Sequence, residues 1–153
     1  MKSNTIKSRG DLMKVKKKLI KIGSIILLIV TIGSSIFVYK YTKAKEECIN
    51  LVKKQTSEIN PEINFDKAYS KYLTNLDYTY YKDSQGNEIV SAVGNRYFPD
   101  KDKVCKIEIQ YLVDRKTNTL HFHKGFVDGA KMNEVQMLIL KIKAYDTYEA
   151  ETI

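Results

Sequence analysis

The sequence is poor in the residues that most often mark a chemical site. It contains two cysteines, two histidines and no tryptophan among 153 residues. No CxxC, HExxH or Cys/His quartet occurs, which argues against a structural zinc site. A glycine-rich phosphate loop and a G-x-S-x-G motif are also missing, so nucleotide and serine-hydrolase chemistry find no support. We therefore predict no enzyme activity, no cofactor and no identifiable small-molecule substrate.

The positive charge of the chain is unevenly distributed. The formal net charge is +8, of which residues 1–21 carry +7 and residues 40–153 carry +1. A nucleic-acid-binding surface needs a basic excess on the folded domain itself. Nucleic acid is therefore not expected as a partner.

One long apolar run extends from Ile22 to Tyr39 and contains no charged residue. A helix of this length is about 27 Å long, close to the hydrocarbon thickness of a bilayer. The run therefore predicts a transmembrane helix. The residues assigned to this membrane anchor are Ile22, Ile25, Leu28, Ile29, Ile32, Phe37 and Tyr39.

Lysines are concentrated before the apolar run, and this bias predicts the orientation of the chain. It places the N-terminus in the cytoplasm and the C-terminal domain outside the cell membrane. A cleaved signal peptide is the alternative, but the long basic region and the missing A-x-A triplet favour an uncleaved anchor. The orientation charges are Lys14, Lys16, Lys17 and Lys18.

Composition divides the chain into four segments. Asn60-Pro61 ends the juxtamembrane helix, because the residue before a proline disfavours helical backbone angles. The segments are an irregular basic cytoplasmic tail (1–18), the transmembrane anchor (19–41), a juxtamembrane helix and linker (42–63) and an extracytoplasmic domain (64–153).

The extracytoplasmic domain begins with a helix capped by Asn64 and then shows strand patterns. The clearest strand pattern covers residues 103–113. Polar and apolar side chains alternate through 105–111, with Cys105 and Ile107 on the apolar face. Turn residues separate four predicted strands, which cover 76–82, 88–93, 103–113 and 119–126. These features predict an α+β fold in which helices cover a four-stranded antiparallel meander.

A last helix is predicted at about residues 131–145, with Asp128 as its cap. A strand over residues 137–144 is the alternative, because short apolar runs are ambiguous. The apolar stripe predicted to pack on the sheet consists of Met132, Val135, Leu138, Ile139, Ile142 and Tyr145.

Three blocks of the domain resemble small membrane-anchored domains of Gram-positive bacteria. The blocks read AYSKYLTNLDYTYYKDSQGNEIV, VCKIEIQYLVDRKTNTLHFHKGFVDG and LILKIKAY. In those proteins similar blocks follow a transmembrane helix, and no activity is assigned to them. The resemblance implies an extracytoplasmic domain of the cell envelope and transfers no catalytic residue.

Two pairs of residues are candidates for chemistry. His121 and His123 are two positions apart on a predicted strand, so they share a face and resemble part of a metal site. A carboxylate, Glu108 or Asp114, would have to join them. Cys48 and Cys105 have one possible pairing as a disulfide, although Cys105 is equally well explained as a core residue.

The sequence therefore predicts a single-pass membrane protein that binds a protein or an envelope component. Eleven tyrosines support a binding role, and at least one of Tyr78, Tyr80 and Tyr81 must lie on an outer face of the sheet. The alternative function is a metal-dependent hydrolase that uses His121 and His123. A regulatory cytoplasmic tail is a third possibility.

Overall fold

The computed structural model describes residues 4–56 and 60–150. The chain separates into two compact units, Met1–Lys43 and Ala44–Ile153, which we call the N-terminal and C-terminal units. The first helix, α1 (Asn4–Lys54), supplies residues to both. The prediction of an irregular tail is wrong for residues 4–18, which are helical. Residues 57–59 of the predicted juxtamembrane helix and linker lie outside the described part.

The C-terminal unit is an α+β domain built on a single antiparallel sheet. The strands are hydrogen-bonded in their chain order, which confirms the predicted meander and adds a short fifth strand. They are β1 (Thr74–Lys82), β2 (Glu88–Phe98), β3 (Lys103–Asp114), β4 (Thr119–Val127) and β5 (Ala130–Lys131). The other helices are α2 (Phe65–Tyr72) and α3 (Glu134–Ala150).

Local chemistry explains the turn between β1 and β2. Gly86 has φ +84°, a left-handed conformation that costs glycine little. One carboxylate oxygen of Asp83 accepts hydrogen bonds from the backbone N–H groups of Gln85 and Asn87, each at 2.9 Å. The turn predicted from this composition is therefore confirmed.

The core lies between the inner face of the sheet and the helices. The C-terminal part of α1 contributes Ala44, Cys48 and Val52, which are buried at the predicted helical spacing. Asn64 caps α2 as predicted, and its side chain accepts a hydrogen bond from Lys67 N at 2.9 Å. The alternation of β3 is also confirmed. Its buried side chains are Cys105, Ile107, Ile109 and Val113.

The start and the end of α3 differ from the prediction. Asn133 is the cap, because its side chain and that of Gln136 bond each other's backbone N–H at 2.9 Å. Asp128 instead lies in the β4–β5 turn and accepts a hydrogen bond from Lys106 N at 2.8 Å. The helix continues to Ala150, and the alternative strand is wrong.

A bulge in β4 changes which of its residues face the core. Tyr111 pairs with Phe122, whereas Gln110 pairs with Lys124, so His123 is the extra residue. Beyond the bulge the alternation is shifted by one position. Uninterrupted alternation in the sequence predicts Leu120, Phe122 and Phe126 on one apolar face. This prediction is wrong for Phe126, which pairs with Glu108 on the outer face.

The chain at Leu73 and Thr74 runs close to Gly94 of β2, so this glycine is sensitive to substitution. A Cβ atom at Gly94 would lie 2.8 Å from Leu73 Cβ and 3.2 Å from the carbonyl oxygen of Thr74. These atoms belong to the ordered connection between α2 and β1. We expect Gly94→Ala to lower the free energy of unfolding by about 2 kcal/mol, the usual cost of overpacking.

Urea unfolding of the full chain in mild detergent measures this effect. Gly125→Ala is the matched control, because a Cβ there would meet the side chains of Met137 and Met132. Both can change rotamer, so we expect a loss below about 1 kcal/mol. An equal loss in the two variants would contradict the argument.

Candidate functional site

The N-terminal unit contains a long apolar stretch of α1 whose described side chains are exposed. Among the described residues, one helical segment is long and apolar enough to cross a membrane, Gly23–Lys54 within α1. The side chain of Ile22 lies outside the described part. The other assigned anchor residues are more than half exposed: Ile25, Leu28, Ile29, Ile32, Phe37 and Tyr39.

Polar side chains inside this segment are bonded to the helix itself. The hydroxyl of Thr31 donates to Leu28 O at 2.8 Å, and that of Ser35 donates to Thr31 O at 2.8 Å. Ser34 donates to Val30 O at 2.9 Å. These hydroxyls therefore need no water, as the interior of a bilayer requires.

The positions of the orientation charges are partly described. Lys16 and Lys18 are exposed on α1. Lys14 and Lys17 belong to the helix, but their side chains lie outside the described part. The orientation predicted from these charges therefore stays a prediction.

The C-terminal unit carries an exposed apolar surface on α3 that the sequence interpretation assigned to the core. Val135, Leu138, Ile139 and Ile142 are 65%, 56%, 48% and 42% exposed. Their spacing of three and four residues places them on one side of the helix. We call these four residues the outer stripe.

The opposite face of α3 packs on the sheet, so the predicted stripe is wrong for the four residues of the outer stripe. Its other two members, Met132 and Tyr145, are buried as predicted. The buried residues of this helix are Met137, Leu140, Ala144 and Tyr145. The side chain of Met137 lies over Gly125 of β4. The sequence did contain a signal for the outer stripe, because α3 has apolar residues at helical spacing on both faces.

A network of charged and polar groups surrounds Glu88, which is 12% exposed. Arg115 binds this carboxylate at two points, with Nε–Oε2 at 2.6 Å and Nη2–Oε1 at 2.8 Å. The hydroxyl of Tyr80 donates to Oε1 at 3.0 Å, and the thiol of Cys48 lies 3.6 Å from Oε2. Arg115 also binds Glu47 at 3.0 Å.

The electrostatics of this network oppose a catalytic role. Hydrogen bonds from Arg115 lower the pKa of Glu88 to about 2, so the carboxylate is ionised and already occupied. Burial raises the pKa of the Cys48 thiol to about 12, with nearby Glu88 as the second cause. A protonated thiol is a poor nucleophile. The network therefore joins α1, the first two strands and the β3–β4 turn. We call Glu88, Arg115 and the side chains that contact them the clamp.

A shallow polar cleft of about 800 Å³ lies beside the clamp. Its side chains carry charges of both signs, including Lys82, Asp114 and Lys116. Asp114 is engaged by the turn, since it accepts a hydrogen bond from Lys116 N at 2.8 Å. The cleft is therefore open to solvent and lined by charged side chains of both signs.

In the described part of the chain the histidine pair has no third metal ligand beside it. His121 and His123 are exposed on β4. Glu108, named as a third ligand, instead accepts hydrogen bonds from Ser91 at 2.8 Å and Gln110 at 2.6 Å. Over residues 4–56 and 60–150, no three His, Cys, Asp or Glu side chains are grouped in a way that could hold a metal ion.

The two cysteines are buried free thiols, so the possible disulfide is not formed in this structure. Cys48 contacts Glu88, which pairs with Val113 at one end of β3. Cys105 lies eight residues before Val113, about 26 Å away along an extended strand. A disulfide requires Cα atoms within about 7 Å of each other, which this sheet register prevents.

The tyrosines are divided between the two faces of the sheet. The hydroxyl of Tyr78 donates to Asp66 at 2.8 Å, and Tyr80 is buried against Glu88. Tyr81 is exposed. The prediction that one of the three lies on an outer face is confirmed.

Among the surfaces of the C-terminal unit, the outer stripe is the one best suited to binding. It is contiguous and apolar, and Phe122 on β4 adds an exposed aromatic side chain to the same unit.

Comparison of the chain with known protein families, curated proteins and solved structures finds no match.

Proposed function

We propose that the protein is a single-pass membrane protein that displays an α+β binding domain outside the cell membrane. The observation that carries this proposal is the pairing of two exposed apolar surfaces in one chain. The first is the apolar run of α1, residues 22–39, which we call the anchor segment. Its Thr and Ser hydroxyls donate hydrogen bonds to backbone carbonyl groups of the same helix. The second is the outer stripe on a folded domain.

The exposed residues of the two surfaces suit different surroundings. The anchor segment is apolar all around the helix, which is typical of a helix surrounded by lipid. The outer stripe occupies one side of α3 and has Lys141 and Lys143 on its flanks, as in a protein interface with a polar rim. The proposed partner is a protein or another component of the cell envelope.

The orientation follows from the charges. Residues 1–21 carry +7, and the positive side of a membrane helix remains in the cytoplasm. The domain beyond Lys40 is then outside. The buried thiols of Cys48 and Cys105 are sheltered from the oxidising conditions there, because both have essentially no exposed surface.

Membrane fractionation tests the anchor. We expect the full chain to remain in the membrane pellet after carbonate extraction. Leu28→Lys combined with Ile29→Lys should release most of it, because each charge at the centre of a membrane helix costs roughly 3 kcal/mol. Thr119→Lys, at an exposed position on β4, is the control and should leave the chain in the pellet.

Protease treatment of intact cells tests the orientation. A C-terminal tag should be lost when protease is added outside, while a cytoplasmic marker stays intact. A tag that is degraded only after the cells are opened would contradict the proposed orientation. Carbonate-soluble wild-type chain would contradict the anchor itself.

A further inference from the structure

We propose that the outer stripe of α3 binds the outer stripe of a second copy of this chain, with the two helices antiparallel. The inference rests on the proposed binding function and names its partner. The expected strength of the association between the two copies relies on the membrane anchor. Its geometry depends on α3 alone. The partner chemistry is therefore the same four apolar residues, related by a two-fold axis.

The apolar residues complement themselves in this arrangement. With the two-fold axis between Leu138 and Ile139, each Leu138 lies opposite Ile139 of the other copy. Each Val135 then lies opposite Ile142. Large branched side chains thus meet along the whole stripe, and all four are exposed in the single chain.

The charges at the edges of the stripe favour the same register. Residues seven apart lie on nearly the same edge of a helix, so Glu134 and Lys141 share one edge. In an antiparallel pair related by a two-fold axis, the edge that carries Glu134 and Lys141 faces the same edge of the other helix. The two facing edges run in opposite directions. Glu134 therefore meets Lys141 of the second copy, and the symmetry forms this ion pair twice.

The other edge is compatible with the pairing. It carries Gln136 and Lys143, which are exposed. They lie opposite each other across the interface, so no like charges are brought together there. The four edge residues thus add two attractive pairs and no repulsive one at this register.

The expected affinity is low in dilute solution. Four side chains from each copy form a contact well below the roughly 800 Å² per partner of a standard interface. Two anchored copies share one membrane, which raises their effective concentration and favours a weak contact. Association should therefore be detected in membranes more readily than after extraction at low protein concentration.

Cysteine crosslinking of the full chain in membranes tests the register. Leu138→Cys should form a disulfide-linked dimer on mild oxidation, because the two copies of position 138 flank the axis. Val135→Cys alone should not, since its two copies are about 10 Å apart along the helices. A mixture of Val135→Cys and Ile142→Cys chains with different tags should crosslink.

The wild-type chain is the control, because Cys48 and Cys105 are buried. Strong self-crosslinking of Val135→Cys would indicate parallel helices and overturn the proposal. Absence of crosslinking by Leu138→Cys in chain that stays in the membrane pellet would also overturn it, while the anchor would stand. Loss of the chain from the membrane pellet would instead refute the membrane anchoring on which the strength of the association depends.

A charge exchange tests the ion pair independently. Glu134→Lys and Lys141→Glu should each reduce the Leu138→Cys crosslink severalfold, because each places like charges opposite each other. The double variant should restore it. Failure of the double variant to recover the crosslink, with both single variants impaired, would overturn the assigned register.

Discussion

Phe65→Ala is expected to lower the free energy of unfolding by about 4 kcal/mol, the largest loss among the substitutions for which we predict a stability change. Phe65 is 2% exposed and begins α2. Its ring stacks on Tyr69 with centroids 4.0 Å apart and meets the edge of Tyr111 at 5.3 Å. Truncation removes these contacts and leaves a cavity that the surrounding rings cannot fill by small movements.

Urea unfolding followed by the near-ultraviolet circular dichroism of the tyrosines measures this loss, since the chain has no tryptophan. Phe122→Ala is the matched control. Phe122 is 44% exposed and contacts Tyr111 through one edge at 6.4 Å. We expect its loss to cost about 1 kcal/mol. Comparable losses in both variants would show that Phe65 does not lie at the centre of the core.

Glu88→Gln is expected to cost about 2 kcal/mol at neutral pH. The change removes the charge that Arg115 binds at two points and weakens the acceptor for Tyr80. Breaking a fully buried ion pair costs roughly 3–5 kcal/mol. The side chain of Arg115 is 36% exposed, so solvent screening reduces the effect.

The pH dependence of stability distinguishes this mechanism from a simple packing defect. The fold lowers the pKa of Glu88 from 4.5 to about 2, chiefly through hydrogen bonds from Arg115, so folding favours the ionised form. Its stabilisation is complete above about pH 4.5 and is lost as the pH falls toward 2. The difference between wild type and Glu88→Gln should therefore shrink over that interval.

Glu47→Gln is the control for the charge network. Glu47 accepts one hydrogen bond from the same arginine at 3.0 Å and is 44% exposed. Exposed pairs contribute little, so we expect a loss below about 1 kcal/mol. A difference between wild type and Glu88→Gln that persists unchanged to about pH 2 would contradict the role of the carboxylate charge.

Local rules predicted the elements that depend on neighbouring residues. Asn64 caps α2 because a cap needs only a side-chain acceptor and the next turn of backbone. Gly86 marks the β1–β2 turn because its left-handed φ is a local requirement. The alternation of residues 105–111 in β3 predicted its buried face, because successive side chains of a strand point to opposite sides of the sheet.

The same rules failed where two local solutions have similar energy. Both faces of α3 are apolar, so spacing alone could not decide which face would meet the sheet. In the structure the face that carries Met137, Leu140, Ala144 and Tyr145 is the buried one. The sequence also did not predict the bulge at His123, because the position of the bulge is set by the pairing of β4 with β3.

The sequence by itself determined the apolar anchor segment, the separation of charge around it and the order of strands and turns in the domain. Each of these depends on composition or on residues close in the chain. The tertiary structure decided the free state of the two cysteines, the clamp around Glu88 and the exposure of the outer stripe. Those features join residues far apart in the chain, whose distances are fixed only when the sheet and helices pack.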